Sequence, residues 1–295
     1  MPLPAPLMRL LAMPLALLLA ALLAVPAAAA PGLWVVRDGD TEISLFGTVH
    51  ALPRGDPGLP PAVLAQLAAA DTLVLETVLP EDRMALAPLF GAIGMRPGQK
   101  PLLQRVAKPT AARLAATVAH TGLSMTQLDR MATWLAALSI SETALATIGI
   151  SSETGVETRL TSAARAAGKP VIGLETPEQQ LRFFDNLPEA DQVLMLEATL
   201  DEVEGAQGEV DTLIALWRAG DVDAIARDFA RDAKASPLLA KVLITDRNAR
   251  WADWIAGVMN RPGKVFVAVG AGHLGGPQGL LELLKAKGLT VEKVS

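Results

Sequence analysis

The chain has 295 residues, with 26 basic side chains, 31 acidic side chains and three histidines, a net charge of −5 with histidine neutral. Such an acidic chain lacks the basic footprint that a generic nucleic-acid binder needs to displace counterions from phosphate, and an apolar content of 51% excludes disorder. With no cysteine, disulfides, thiolate nucleophiles, zinc ribbons, iron–sulfur ligation and lipid anchoring through a thiol are excluded, so any metal site must lean on carboxylates and those few imidazoles.

Residues 1–30 stand apart, because Arg9 is their sole charge. The apolar run from Leu10 to Val25, interrupted by Pro14 and followed by Pro26 and Ala27 to Ala30, is shorter than the ~20 residues a membrane span needs. It reads as a signal peptide with small residues for cleavage. The alternative is an uncleaved N-terminal anchor to the inner membrane. No later segment reaches about 18 uninterrupted apolar residues. The expectation is a single exported domain over residues 31–295, periplasmic or secreted, with no stable membrane span after leader removal and an oligomeric state that the sequence does not define.

Leu33 to Arg37 and Glu42 to Phe46 flank Asp38-Gly39, a dipeptide suited to a tight turn, and predict a β-hairpin. The second strand runs into Gly47-Thr48-Val49-His50, a Pro-rich loop, a helix over Pro61 to Ala70, and a buried strand from Thr72 to Leu75 that ends at Glu76. The C-terminal end repeats this order. Strand Lys264 to Val269 leads into Gly270-Ala271-Gly272-His273, then a helix from about Pro277 to Lys287 and a strand over Leu289 to Val294. A further helix and strand, Val156 to Ala167 and Pro170 to Leu174, lead to Glu175; Thr176, Pro177 and Gln179 then make a capping box. The remaining middle reads as helices over Pro109–Ala119, Met125–Thr147, Pro188–Glu204, Glu209–Ala219, Val222–Lys234 and Leu238–Met259, with Gly220-Asp221 as a stop and start. The expected class is α/β (α+β): a small mixed sheet built from N- and C-terminal βαβ units, carrying a long helical insertion over about 109–260.

Ligands of open α/β sheets collect beyond the carboxyl ends of the strands. His50, Glu76, Glu175 and His273 each follow a predicted strand, so adjacent parallel strands would bring two imidazoles and two carboxylates to one mouth. A glycine three residues before each His permits a sharp strand-to-loop bend. Glu157 opens a helix, where a carboxylate also suits the dipole, and Glu175 sits just ahead of a cap. Arg247 and Trp251 share a helix face at i, i+4. There the guanidinium either covers a ring or, with Asn248 beside it, clamps a substrate carboxylate or an oxyanion. His120 closes a helix and is read as structural. Two imidazoles with carboxylates suit a divalent Mn, Co or Zn ion that acidifies water and polarises a carbonyl. Without a metal, a His oriented by a Glu serves as general base. Both routes lead to hydrolysis.

The segments LWVVRDGDTEISLFGTVHALP, ADTLVLE, TGVETRL, GKPVIGLETPEQQL, DRNARW and VFVAVGAGHLGGPQGLLELLKAKGLTVEKV together resemble the TraB/GumN family, the bacterial relatives of Tiki-type metalloproteases within a wider group that includes the erythromycin esterase and ChaN-like proteins. That resemblance implies an active site of two G-x-x-H motifs with acidic residues, proposed in the Tiki branch to be a metal-dependent peptidase. The matching positions are His50, His273, Glu76, Arg247 and Asn248, with Glu157 and Glu175 in less diagnostic motifs. The expected function is an exported, metal-dependent, peptidase-like hydrolase. His50, Glu76 and His273 would bind the metal, and Arg247, Glu157 and Glu175 a peptide or small-molecule substrate. A non-catalytic ligand-binding or regulatory protein and a metal-independent esterase-like hydrolase with a His base are the alternatives.

Overall fold

In the first hairpin the Asp38 carboxylate accepts from the backbone N–H groups of Asp40 and Thr41 at 3.1 and 2.9 Å, closing the turn between β1 (Leu33–Arg37) and β2 (Thr41–Thr48). In this computed structural model residues 30–232 and 236–295 are described; the leader read over residues 1–30 lies, apart from Ala30, outside them. Three other strands complete the main sheet with β1 and β2: β4 (Thr72–Thr77), β6 (Val171–Glu175) and β7 (Gly263–Gly270), with β8 (Val291–Lys293) at one edge. The two-residue strands β3 (Leu52–Pro53) and β5 (Ile150–Ser151) pair separately. The sheet order is β6-β4-β7-β2-β1-β8. Pairing is parallel from β6 to β2 and antiparallel on both sides of β1, so the fold is mixed α/β. The strands buried on both faces are continuous apolar runs, as central parallel strands require: Leu73, Val74 and Leu75 on β4, and Phe266 to Val269 on β7, are all buried.

Strand β7, near the end of the chain, lies between β2 and β4, near its beginning. The register sets Thr48 opposite Gly270 and Leu75 opposite Ala268. The carboxyl ends of these strands therefore reach one edge of the sheet together. Helices α1 (Pro61–Ala69), α6 (Val156–Ala166), α11 (Asp246–Val258) and α12 (Leu280–Ala286) share the main apolar core with the sheet through Val63, Leu160, Ile255 and Leu284. Between them in the chain come α2 (Ala87–Gly94), α3 (Lys108–Thr121), α4 (Met125–Leu128), α5 (Thr133–Thr147), α7 (Pro177–Asp185), α8 (Glu189–Arg218), α9 (Val222–Asp232) and the single turn α10 (Pro237–Ala240). Two smaller cores lie among these helices, one around Leu114, Ile140 and Leu196, the other around Trp134.

The boundaries differ from sequence expectation where tertiary contacts override local preference. The helix expected over Met125–Thr147 is broken between α4 and α5. There the Gln99 side chain donates to Asp129 O and Met131 O, and Arg105 donates to the same two carbonyls, while Asp129 Oδ1 accepts from Leu102 N–H. Carbonyls committed to side chains cannot also serve the helix ladder. Conversely, the two helices expected on either side of Gly205 and Gly208 are one, α8, about 45 Å long. Each interior glycine costs about 1 kcal/mol, but both ends of α8 are fixed by burial, Leu196 and Leu200 in a helical core and Ile214 and Trp217 in the sheet core. The helix expected over Leu238–Met259 is interrupted by a π-helical turn at Lys241–Thr245. Helix α2, in a stretch of Ala, Gly and Pro, carries too weak a periodicity to be foreseen.

The two G-x-x-H turns pack on each other. A Cβ on Gly47 would lie 3.1 Å from Ala271 Cα and 3.2 Å from Leu274 Cδ1, and Trp217 Nε1 donates to Gly47 O at 2.8 Å. Backbone-to-backbone contact of this kind leaves no flexible neighbour to give way. Gly47→Ala is expected to destabilise the fold by about 1–3 kcal/mol through overpacking, read as a lowered urea midpoint with an unchanged m-value.

Candidate functional site

Four segments place the site residues. Glu76 stands on β4, Glu175 ends β6, His273 follows β7 on a short 3₁₀ turn (Ala271–His273), and His50 follows β2. Thr77 and Glu175 are register partners, so Glu76 and Glu175 reach the same end of the sheet. Arg247 comes from α11 and joins them. Its Nη2 donates to Glu76 Oε2 at 2.5 Å and to Glu175 Oε2 at 2.8 Å, and its Nε lies 3.0 and 3.1 Å from the two Glu175 oxygens. Nη1 donates to Leu243 O in the π-helical turn at 3.1 Å and approaches His273 Nε2 at 3.2 Å. The ring of Trp251 lies beneath the guanidinium, 4.6 Å to its centroid. All three charged side chains are buried, so each charge depends on the others for the solvation it has lost.

The sequence left Arg247 to cover a ring or to clamp a substrate. It does the first, and every N–H of its guanidinium is taken up within the protein, which leaves no donor for a substrate carboxylate. Asn248 is similarly committed. Its Nδ2 donates to His273 O and Gln278 O at 3.2 and 2.8 Å, which fixes the amide orientation, and its Oδ1 faces His273 Nδ1 at 2.7 Å. His273 therefore carries its proton on Nδ1 and presents a lone pair at Nε2, 3.8 Å from Glu76 Oε1. Burial is the main cause that lowers its pKa to about 4, so the imidazole is neutral at pH 7.

Glu157 reaches His50 through the start of α6. A Cβ on Gly155 would fall 2.1 Å from His50 O, so only glycine lets this helix begin against the G-T-V-H turn, where Val156 N–H donates to Val49 O. Glu157 Oε1 accepts from Thr48 Oγ1 at 2.6 Å and pairs with His50 Nδ1 at 2.7 Å. The Glu157 charge is the largest cause raising the His50 pKa, to about 9, although 73% of that side chain is open to water. Glu157 itself is lowered: burial opposes ionisation, and His50 and Thr48 outweigh it. Glu76 behaves in the same way. Burial raises its pKa, but His273, Arg247, His50 and the Gly270 N–H, which donates to Oε1 at 2.7 Å, bring the balance to about 2. Since His273 is neutral at pH 7, the lasting contributions there are those of Arg247, His50 and Gly270.

The two imidazoles and Glu76 converge at Gly270. Where its Cβ would sit, Glu76 Oε1 is 3.2 Å away, His273 Cδ2 3.6 Å and His50 Nε2 3.7 Å. The glycine of the second G-x-x-H thus leaves a notch facing both histidines. The donor types around it suit a divalent cation: each imidazole has its Nδ1 held by an oxygen, which leaves Nε2 as the ligating atom, with a carboxylate alongside. The Arg247 guanidinium competes at His273 Nε2 and Glu76 Oε2. As the side chains stand, no three His, Asp or Glu residues among those described are grouped for ion binding. His50 and Glu76 Oε1 are the donors with least competition.

His120 lies apart from this cluster, its Nδ1 facing Ala116 O at 2.7 Å at the end of α3. Sequence reasoning missed Thr48, which orients Glu157, and Gln180, whose Nε2 donates to Glu175 Oε2 at 3.2 Å. The Thr within G-T-V-H and the Gln in the turn after Glu175 were the available signals. It also missed the reciprocal fit of Gly47 and Gly270, which no single motif displays.

A mixed sheet crossed by a helical insertion, with two G-x-x-H turns meeting over buried carboxylates and an arginine, defines a class of α/β protein with one polar centre at the strand ends. The chain belongs to the TraB/PrgY/gumN family, whose pattern matches residues 32–293. It is similar to the uncharacterized protein YbaP of Escherichia coli (strain K12) and to YbaP of Shigella flexneri. Each is 26% identical over 255 residues, covering 86% of this chain and 92% of the relative. No solved structure matches.

Arg247→Leu is expected to cost about 3–5 kcal/mol at pH 7, because it strands two buried carboxylates. The deficit should shrink on acidification as Glu76, no longer held ionised by the Arg247 charge, takes up a proton, which chemical denaturation at pH 7 and pH 4.5 would show. In the unsubstituted protein, stability is expected to fall from pH 6.5 towards 4, where unfolded histidine binds a proton that buried His273 refuses, and again below 4.5 as Glu76 is protonated. His50 acts in the opposite direction, its contribution being lost as pH rises from 6.5 to about 9. Denaturant midpoints across pH 3–10 should therefore peak near neutrality, and His273→Gln should flatten the slope between 6.5 and 4.

Proposed function

We propose that this chain is an exported, metal-dependent hydrolase of peptide-type bonds, with His50, Glu76 and His273 as the residues that hold the cation. The observation that carries this reading is the convergence of Glu76 Oε1, His50 Nε2 and the His273 ring on the notch at Gly270, with His50 open to solvent on its outer side. A bound Mn, Co or Zn ion supplies an acidified water and polarises the carbonyl to be attacked. The chain's own residues prepare the place. Glu157 accepts a hydrogen bond from His50 Nδ1–H and so keeps Nε2 as the ligating atom. The Gly270 N–H and Arg247 hold Glu76 ionised in one orientation, and Asn248 fixes the His273 tautomer. The exposed side of His50 is where substrate enters, since Glu175, Arg247 and His273 are covered.

A second reading is favoured by the Arg247 contact with His273 Nε2 at 3.2 Å, which leaves the inner imidazole tied to a cation already in the protein. On that reading His50 alone takes a proton from water at Nε2 in its deprotonated form, which grows as pH rises towards about 9, and Glu157 stabilises the imidazolium formed.

Metal analysis of the purified protein, combined with hydrolysis of a fluorogenic peptide mixture with and without Mn²⁺ or Co²⁺, tests the proposal. Stoichiometric metal that is lost in His50→Ala, with turnover falling by 10²-fold or more in His50→Ala and His273→Ala, is the expected outcome. Turnover that needs no metal and disappears only in His50→Ala transfers the mechanism to the His50–Glu157 pair. Ligand-induced thermal stabilisation without any product would make the cleft a binding site instead. Appearance of the protein in the periplasmic fraction, shortened by about 30 residues, is expected for an exported chain.

A further inference from the structure

Three residues beyond the saturated Arg247 stands a second arginine with donors to spare. The Arg250 side chain is about half exposed. Among the described residues its guanidinium makes one ion pair, 3.5 Å from Glu175 Oε1, and lies 5.5 Å over the ring of Phe183. Glu175 already accepts shorter hydrogen bonds from Arg247 and Gln180, so Arg250 balances its charge from 3.5 Å while N–H groups of the half-exposed guanidinium remain for a ligand. Beneath Arg250 opens a cavity of about 310 Å³, walled by Leu174, Phe183, Trp251 and Trp254. That size falls at the lower end of small-molecule sites, and the polar groups on its lining are Arg250, Gln179 and the Glu175 carboxylate already bonded to Arg247. The cavity adjoins the polar cluster through Trp251. This ring packs 4.6 Å from His273 and beneath Arg247 while also lining the cavity, and among the described residues its buried Nε1 has no hydrogen-bond partner.

We propose that this cavity is a recognition subsite for an aromatic side chain that carries its own free carboxylate, as the C-terminal aromatic residue of a peptide does. The ring stacks among Phe183, Trp251 and Trp254, where aromatic pairs gain energy beyond their buried area, and the carboxylate takes the planar donor fork of Arg250. Arg250, rather than Arg247, is then the arginine that meets an anionic substrate. The proposal rests on the hydrolase reading only for calling the occupant a substrate, because binding needs no turnover.

Isothermal titration of the purified protein with N-acetyl-phenylalanine, N-acetyl-phenylalaninamide and N-acetyl-alanine tests it. The expected result is saturable binding of the first, with at least tenfold weaker binding of both others. Arg250→Gln should weaken N-acetyl-phenylalanine tenfold or more and leave the amide unaffected, and Phe183→Ala should weaken it comparably, both variants retaining wild-type melting temperatures within a few degrees. Equal binding of acid and amide, absence of binding, or an unchanged affinity in Arg250→Gln would overturn the assignment. His50→Ala should bind N-acetyl-phenylalanine as the wild type does, so that failure of the catalytic reading and failure of the subsite are separately visible.

Discussion

A single guanidinium, buried between two buried carboxylates, is the constraint around which the rest of the site is organised. Arg247 holds Glu76 and Glu175 at the ends of two neighbouring strands and touches the lone-pair side of His273. Removing Arg247 leaves two uncompensated carboxylates in a medium that solvates them poorly. The arrangement fixes protonation as well as position. Glu76 stays charged, the inner histidine stays neutral, and the proton-binding group available to solvent is His50, paired with Glu157. Two histidines of identical motif thus acquire opposite electrostatic characters, because one is buried, with an arginine beside it, and the other is paired with a carboxylate.

Much of this was legible in the sequence where local chemistry and global fold agree. Asp38-Gly39 announces the hairpin, continuous apolar runs mark the central strands, and glycine-spaced histidines at strand ends mark the mouth. The segment Gly155-Val156-Glu157 reads as an ordinary helix start, yet each of its residues has a separate task at His50: clearance, backbone docking and a carboxylate. What escaped the sequence depends on partners remote in the chain. The break between α4 and α5 is made by the side chains of Gln99 and Arg105 capturing carbonyls about 30 residues away, and the continuity of α8 through two glycines is imposed by burial at both of its ends.

The role of Arg247 shows the same limit from the side of function. An Arg-Asn pair on an aromatic-lined helix suggests a substrate clamp, whereas each donor of that guanidinium has an acceptor within the protein. Five N–H groups meet acceptors from β4, β6, the π-helical turn and the turn after β7, which no inspection of the α11 sequence could reveal. Saturation of one arginine shifts attention to its neighbour Arg250, whose residue type is the same and whose unspent hydrogen-bonding capacity is not. For polar residues near a cleft, occupancy of donors and acceptors is a better guide to ligand contact than charge.

The placement of β7 between β2 and β4 has a consequence for biogenesis. Strands β2 and β4 do not pair with each other, so the first half of the polypeptide holds a gap between them that β7, ending at residue 270, fills. That late insertion delivers Gly270 and His273 and seats Glu76. In a nascent chain the polar centre is consequently incomplete until nearly all of the polypeptide has been made, and it comes into being in the same event that completes the sheet.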